Sequence, residues 1–366
     1  MHELHPPYSL KRDYLLWTLV AALIVFSVLE PHKIPDYPQL VNWPTIATLL
    51  GLMILTKGVE QSGWLHRVGR NVIARVSSQR VLALVLVCGS ALLAMLLTND
   101  IALFVVVPLT LQLGTLAALP LRRLVIFEAL AVNAGAMLTP IGNPQNIFLW
   151  RLSGVDFVHF VWHMVPPFMI AMACLLLLTA WAFPGARIRV QPRAPIPAVQ
   201  QRLLLTSALL YIPFLVLADL QLTALALVLV VAVFLAGFPR LLRRIDWPLI
   251  VVFVLMFIDL GRLAEYPVLA YVNLAERSSL YLAGALSSQV ISNVPAAILL
   301  SRYSHDWGTI AWAVDVGGFG VCIASLANLI ALRLGRQRGM LPAFHAWSLP
   351  FFVVVGVLVW LWLRLA

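Results

Sequence analysis

The chain has 366 residues, of which 62% are hydrophobic and only 11% are charged, and its mean hydropathy is +0.94. A soluble globular domain is closer to half apolar and a quarter charged, so this composition excludes an ordinary cytoplasmic domain, a disordered chain and a disulfide scaffold. The sequence therefore predicts an all-α polytopic membrane protein, whose first partner is the lipid bilayer.

Nine apolar runs are predicted to cross the membrane, because most of them approach the roughly 20 residues that a hydrocarbon core requires. They fall at 14–29, 44–59, 124–149, 160–183, 203–218, 222–238, 248–261, 308–332 and 345–363. Two further apolar regions, 81–118 and 280–303, are interrupted by the polar tips Thr98-Asn99-Asp100 and Ser292-Asn293. At about 1.5 Å per residue, the arms 101–113 and 280–291 fall short of a core of roughly 30 Å. We therefore expect two re-entrant hairpins.

The net charge of +10 is explained by topology. With the N-terminus in the cytoplasm, these crossings place about three basic residues inside for each one outside, as the positive-inside rule requires. The basic excess therefore gives no reason to expect nucleic acid as a partner. We expect a multi-pass protein of a bacterial inner membrane.

A Pro- and Arg-rich segment, 184–202, is predicted to be a cytoplasmic linker between two halves, 1–183 and 203–366, although an ordinary surface loop is equally consistent with it. Three anchors recur in order in the two halves. They are Asn42-Trp43-Pro44 with Asp246-Trp247-Pro248, Thr98-Asn99 with Ser292-Asn293, and Asn133 and Asn146 with Asp315 and Asn328, at offsets of 204, 194 and 182. Since Trp43 opens a crossing from outside and Trp247 opens one from inside, the halves are predicted to be inverted repeats.

Each half also contains a crossing that is interrupted by helix-breaking residues. In 124–149, Pro140 lacks a backbone donor and Asn143 before Pro144 is a favoured helix start, so one helix should stop near Thr139 and another begin at Pro144. In 308–332 three glycines precede a candidate cap at Ser325. Broken helices are tolerated in hydrocarbon only where they line a buried or watered site.

Helix N-termini at the two hairpin tips and the two breaks should therefore point toward the centre of the protein. Such ends bind anions, while carbonyl ends and Asn, Ser and Thr oxygens bind Na+. The simpler alternative is that these residues only cap kinks and pack helices. The predicted substrate and ion site comprises Thr98, Asn99, Asp100, Thr139, Pro140, Gly142, Asn143, Asn146, Ser292, Asn293, Val294, Ala324, Ser325 and Asn328, with Na+ possible at Asn99, Asn143, Asn293 and Ser325.

Carboxylates inside the membrane are expensive and mark functional sites by default. Asp100 and Asp315 are candidates for ion coupling, although Asp100 could equally cap the outgoing helix, and Glu128 is a weaker candidate. Asp156, His159 and His163 lie on one helical face, but at an interface where a metal site is the less favoured interpretation. Because no catalytic fingerprint is present, the sequence indicates neither an enzyme nor a cofactor other than Na+.

The segments 97–100 and 138–146 resemble the ion transporter superfamily that includes arsenite permeases, NhaD-type sodium/proton antiporters and sodium-coupled dicarboxylate symporters. The segments 128–135 and 290–295 further resemble the YbiR-type bacterial permeases. This resemblance implies a homodimer in which a mobile transport domain moves against a fixed scaffold, as in an elevator. The symporters carry Ser-Asn-Thr at each tip, whereas here the third position is Asp100 or Val294, which favours the arsenite and antiporter branches.

We therefore expect a secondary active transporter of a small anion or oxyanion, carboxylate or inorganic, coupled to Na+ or H+. The alternative within the same fold is a sodium/proton antiporter or an arsenite or antimonite efflux permease. A passive channel and an intramembrane enzyme are the alternatives from other classes.

Overall fold

The computed structural model describes residues 14–64, 67, 76, 78–114, 119–187, 198–263, 265–266, 273–335 and 339–365. Regular structure in these ranges is helical, apart from one bridge that pairs Ser78 with Arg187. The expected all-α fold is therefore confirmed for the described residues. The first 13 residues and most of the expected linker, 188–197, lie outside them.

Helices occupy every segment that was predicted to cross the membrane. In the first half they are α1 (Tyr14–Leu29), α2 (Tyr37–Leu40), α3 (Trp43–Gln61), α4 (Gln79–Leu96), α5 (Asn99–Gly114), α6 (Leu121–Ala136), α7 (Pro144–Ser153) and α8 (Phe157–Ala182). In the second half they are α9 (Gln201–Asp219), α10 (Thr223–Gly237), α11 (Pro239–Leu242), α12 (Trp247–Leu263), α13 (Arg277–Ile291), α14 (Asn293–Leu300), α15 (Trp307–Gly317), α16 (Leu326–Gly335) and α17 (Met340–Leu365).

Four of the described helices, α4, α8, α9 and α17, are long and apolar enough to cross a membrane by themselves. A fifth crossing is formed if segment 31–40 and α3, which meet at a bend of 55°, are taken together. These apolar helices define a polytopic membrane protein. At 18 residues, α4 reaches about 27 Å, close to a full hydrocarbon core. Re-entry of the first hairpin therefore stays a prediction.

Both predicted hairpins turn at their polar tips. Helices α4 and α5 pack against each other across Leu97 and Thr98, and α13 and α14 do so across Ser292. Ser292 has a φ of 73°, in the left-handed region, and precedes the first residue of α14. Ser292 occupies the cap position of α14, and its side chain makes no capping bond.

Both predicted helix breaks are also present. Helix α6 ends at Ala136, three residues earlier than expected, and α7 begins at Pro144. Asn143 caps α7 as predicted, because its side chain accepts a bond from the Asn146 amide. In the second half the break between α15 and α16 contains a short 3-10 helix, Cys322–Ala324.

The helices pack in two groups. The hairpins and broken helices, α4–α7 and α13–α16, contact one another, and α8 and α17 pack on them. A second group contains α1, α3, α9, α10 and α12. The groups meet where α3 contacts α5 and α7, where α12 contacts α14, and where buried Arg151 at the end of α7 donates to the Ala218 carbonyl and the Gln221 side chain.

A local contact recurs at the offset of 204 that the sequence indicated. The Trp43 indole nitrogen donates to the Pro38 carbonyl at 3.0 Å, and the Trp247 indole nitrogen donates to the Leu242 carbonyl at 3.1 Å. Each bond folds the chain back onto the residues that precede a helix, so α3 and α12 begin in the same way.

Candidate functional site

The first hairpin tip contacts the first helix break directly. The Asn99 backbone nitrogen donates to the Gly142 carbonyl at 2.9 Å, and the Thr139 hydroxyl donates to the Met95 carbonyl at 2.8 Å. Asn99 is almost fully buried, and its side-chain oxygen accepts a bond from the Asp100 amide. The first hairpin tip is therefore hydrogen-bonded to the first helix break at two points. One buried Asp100 carboxylate oxygen has no partner.

The second tip contacts the second break at the matching positions. The Ser292 hydroxyl donates to the Ala324 carbonyl at 3.4 Å, and Gln289 accepts from the Val321 amide and donates to the Gly317 carbonyl. Met95, Asn99, Thr139 and Gly142 of the first half correspond to Gln289, Asn293, Val321 and Ala324 at the offsets of 194 and 182, so the contact to Ala324 comes from Ser292, one residue before the match of Asn99. Each hairpin therefore holds the break of its own half in a similar way.

The helices that restart after the breaks are held by two matching asparagines. The Asn146 side-chain nitrogen lies 3.3 Å from the Ala136 carbonyl and 3.4 Å from the Thr139 carbonyl. The Asn328 nitrogen lies 2.8 Å from the Gly318 carbonyl and 3.4 Å from the Val321 carbonyl, again at an offset of 182. Both amides satisfy carbonyls that the end of the preceding helix leaves free.

Contacts between the two breaks are reciprocal. The Asn143 side-chain nitrogen donates to Asp315 at 3.0 Å, and the Ser325 hydroxyl donates to Asn133 at 3.0 Å. At the offset of 182, Asn143 corresponds to Ser325 and Asn133 corresponds to Asp315. The two contacts therefore join corresponding positions of the two halves. A reciprocal contact of this kind is what two copies related by a two-fold axis make.

The structure therefore connects most of the predicted site residues in one chain of contacts, from tip to break to break to tip. Pro140 and Val294 are buried beside this chain. Asn293 is also buried and lies against Gly318, where an added Cβ would come within 3.1 Å of its side-chain nitrogen. Ser325 was predicted to cap α16, but the bond found for its hydroxyl goes to Asn133.

Two buried polar residues were missed in the sequence, one of them at the site. Gln145 donates to Asp315 at 2.8 Å and is almost fully buried, although a glutamine in the first turn of a helix gives no sequence signal. Asp259 is buried in α12 and neither of its carboxylate oxygens has a partner. It could have been found, because it is the acidic residue within the apolar run 248–261.

The weaker candidates are placed elsewhere. Glu128 is fully buried, and one of its oxygens accepts a bond from the Thr110 hydroxyl. Asp156 caps α8 by accepting from the His159 amide, while His163 packs against Trp307. No cluster of three metal-ligating side chains occurs among the described residues.

Buried polar groups at paired helix breaks inside an apolar helical protein define the class of polytopic membrane transporters. A family model described as citrate transporter (CitMHS) matches residues 11–317. The chain therefore belongs to the citrate transporter family.

Its relatives agree with this assignment. The chain is 43% identical over 349 residues to the inner membrane protein YbiR of Escherichia coli, a match that covers 94% of each chain. It is 29% identical over 322 residues to the uncharacterized transporter MJ0456 of Methanocaldococcus jannaschii, covering 86% of each. A shorter match, 27% over 156 residues, covers 43% of this chain and 32% of the silicon efflux transporter LSI3 of rice.

The predicted resemblance to YbiR-type permeases is confirmed. The protein is a transporter and not an enzyme, and it is a multi-pass protein of the inner membrane.

Proposed function

We propose that this transporter moves a small anion or oxyanion, carboxylate or inorganic, by secondary active transport coupled to Na+ or H+. The observation that carries the proposal is the chain of contacts in which both hairpin tips and both breaks meet. The starts of α5, α7, α14 and α16 belong to it, and helix N-termini attract anions without any lysine or arginine.

Alternating access follows from the same arrangement. The recurrent contacts at offsets of 182, 194 and 204 support two inverted repeats, 1–183 and 203–366, and the two packed groups of helices support a transport domain moving against a scaffold. In this proposal the N-terminus is cytoplasmic, the hairpins are re-entrant, and two copies associate through the scaffold as a homodimer. Native mass spectrometry in lipid nanodiscs tests the dimer, and a monomer there would contradict it.

A second candidate function is export of arsenite or antimonite, which can be carried as the neutral oxyacid. Sodium/proton antiport belongs to the same candidate. Asp100 favours it, since a carboxylate at the first tip repels an anion unless it is protonated or paired. The relative named as a silicon efflux transporter also favours export of a hydroxylated species.

A ligand screen on the purified protein tests the proposal and separates the candidates. Thermal shifts are measured with dicarboxylates, citrate, sulfate, phosphate, arsenite, Na+ and Li+ at two pH values. Stabilisation by an anion is expected to be lost in Asn99→Ala and in Asn293→Ala and kept in Asn273→Ala, which changes an exposed loop residue. If both tip variants bind as the parent does, the site is wrong. Stabilisation by arsenite alone would select the second candidate.

A further inference from the structure

Helix α9 is fixed to α3 inside the scaffold group, which consists of α1, α3, α9, α10 and α12. A Cβ added to Gly51 would lie 2.2 Å from the Phe214 ring, and one added to Gly58 would lie 2.1 Å from the Ser207 hydroxyl oxygen. Phe214 and Ser207 are fully buried. Because close-packed interiors yield little, α9 and α3 behave as one body.

The middle of α9 also reaches the first hairpin tip, which belongs to the hairpin group, α4–α8 and α13–α17. The Tyr211 hydroxyl donates to the Leu96 carbonyl at 2.6 Å. Leu96 is the last residue of α4, where carbonyls need partners from outside the helix. The preceding carbonyl, that of Met95, accepts from Thr139 in the first break. The end of α4 is therefore bonded both to its own group and to the scaffold group.

A small apolar cluster accompanies the Tyr211 bond. Val59 of α3 lies in this cluster with Leu97 and Val105 of the first hairpin, and Leu204 of α9 packs against it. Among the described residues the cluster is separate from the main core and contains three buried side chains. Since so few side chains hold the first tip against the scaffold group, one hydrogen bond is a large part of the attachment.

The C-terminal end of α9 makes a second set of bonds to the hairpin group. Arg151, which is buried in the last turn of α7, donates to the Ala218 carbonyl and to the Gln221 side chain. At the start of α8, the Phe157 backbone nitrogen donates to the Asp219 side chain at 2.7 Å. Gln221 has a φ of 64°, a left-handed conformation that persists only where its surroundings hold it. This end of α9 therefore fits the turn between α7 and α8.

We propose that α9 is a latch for the hairpin group. Tyr211 holds the first tip and residues 218–221 hold the turn between α7 and α8, so the hairpin group leaves the scaffold group only when these bonds break. Tyr211 is a positioning residue, because it acts on Thr98 and Asn99 through the Leu96 carbonyl. The latch rests on the proposed function, which includes the movement of one group against the other.

The chain offers a matched control for the variant Tyr211→Phe. The Tyr281 hydroxyl donates to the Gly356 carbonyl at 3.1 Å, which is a bond of the same chemistry between α13 and α17 of the hairpin group. Tyr281→Phe therefore removes a hydroxyl bond inside one group, whereas Tyr211→Phe removes one between the groups. A loss of stability alone would affect both variants.

A single cysteine at position 97 reports how often the first tip leaves the scaffold group. The reporter protein carries Leu97→Cys, and its three native cysteines, Cys88, Cys174 and Cys322, are replaced by serine. Leu97 is buried, so the rate at which a maleimide labels this cysteine in proteoliposomes depends on the exposed fraction of the tip.

Loss of a typical net hydrogen bond changes an equilibrium about fivefold. Labelling should therefore be about five times faster in the reporter with Tyr211→Phe than in the reporter alone, and Tyr281→Phe should leave the rate unchanged. Equal rates with and without Tyr211→Phe overturn the proposal. So does an equal acceleration by both variants, because the loosening would then be general. The labelling uses no substrate, so failure of the anion screen would refute the proposed substrate while leaving this result intact.

Discussion

Alanine at position 135 would separate the first hairpin from the first broken helix. A Cβ added to Gly135 would lie 2.1 Å from the Ala91 carbonyl oxygen and 2.5 Å from the Ala91 Cα, so α4 and α6 touch through their backbones. Restoring ordinary contact at about 3.5 Å requires the helices to move apart by more than about 1 Å. Backbone atoms cannot rotate away as a side chain can, so the strain falls on the packing of the whole hairpin.

Overpacking of this kind costs about 1–3 kcal/mol. We expect Gly135→Ala to lower the thermal unfolding temperature in detergent by several degrees. The displacement should also weaken anion binding, because the bond between Thr139 and Met95 lies one turn further along the same interface. Gly317, which matches Gly135, meets the Ser288 Cβ at 2.6 Å and should respond in the same direction.

Gly89 provides the matched control within α4. A Cβ there meets nothing within 4 Å, so Gly89→Ala should be neutral or stabilising by about 0.5–1 kcal/mol, the ordinary gain for alanine in a helix. If Gly135→Ala and Gly89→Ala unfold at the same temperature, the direct backbone contact on which the site is built does not exist.

The remaining predictions concern buried and charged side chains. Asp259→Leu should raise the unfolding temperature, because it replaces two unpartnered carboxylate oxygens with apolar atoms, and a lower temperature would reveal a hidden partner. Asn146→Ala and Asn328→Ala should each lower the free energy of unfolding by about 1–3 kcal/mol, since buried carbonyls lose their donors. Stability equal to that of the parent would contradict the bonds from these two asparagines to the preceding helix ends. The pKa of Glu265, which lies outside the membrane-spanning helices, is lowered mainly by the bond from Lys33. Its contribution to stability is therefore present above the ordinary carboxyl pKa and is lost as pH falls through the lowered value, so Glu265→Gln should flatten this part of the pH profile at low salt.

The helices and their breaks could be predicted because their signals are local. Apolar length marked the segments in which the structure has helices, and the sequence Asn143-Pro144 indicated a helix start that the structure confirms. Matched residues could be found in the two halves at offsets of 204, 194 and 182, and similar local contacts recur at these offsets. The backbone conformation of the second tip was less predictable than its position, since Ser292 has a positive φ that its residue type does not indicate.

The contacts between the halves could not be predicted in this way. Nothing in the sequence near Asn143 shows that its partner is Asp315, 172 residues away, or that Gln145 joins them. Such pairs depend on how two broken helices cross, which hydrophobic patterning does not determine. Asp259 was overlooked for a different reason, because a single carboxylate scarcely changes the hydropathy of an apolar run.

Counterflow in proteoliposomes tests the central claim most directly. Vesicles preloaded with the stabilising anion should take up labelled anion in a saturable manner, driven by an imposed Na+ or H+ gradient, and Asn99→Ala should abolish this uptake while Asn273→Ala keeps it. Flux that does not saturate, ignores both gradients and survives in Asn99→Ala would contradict a secondary active transporter and indicate a channel.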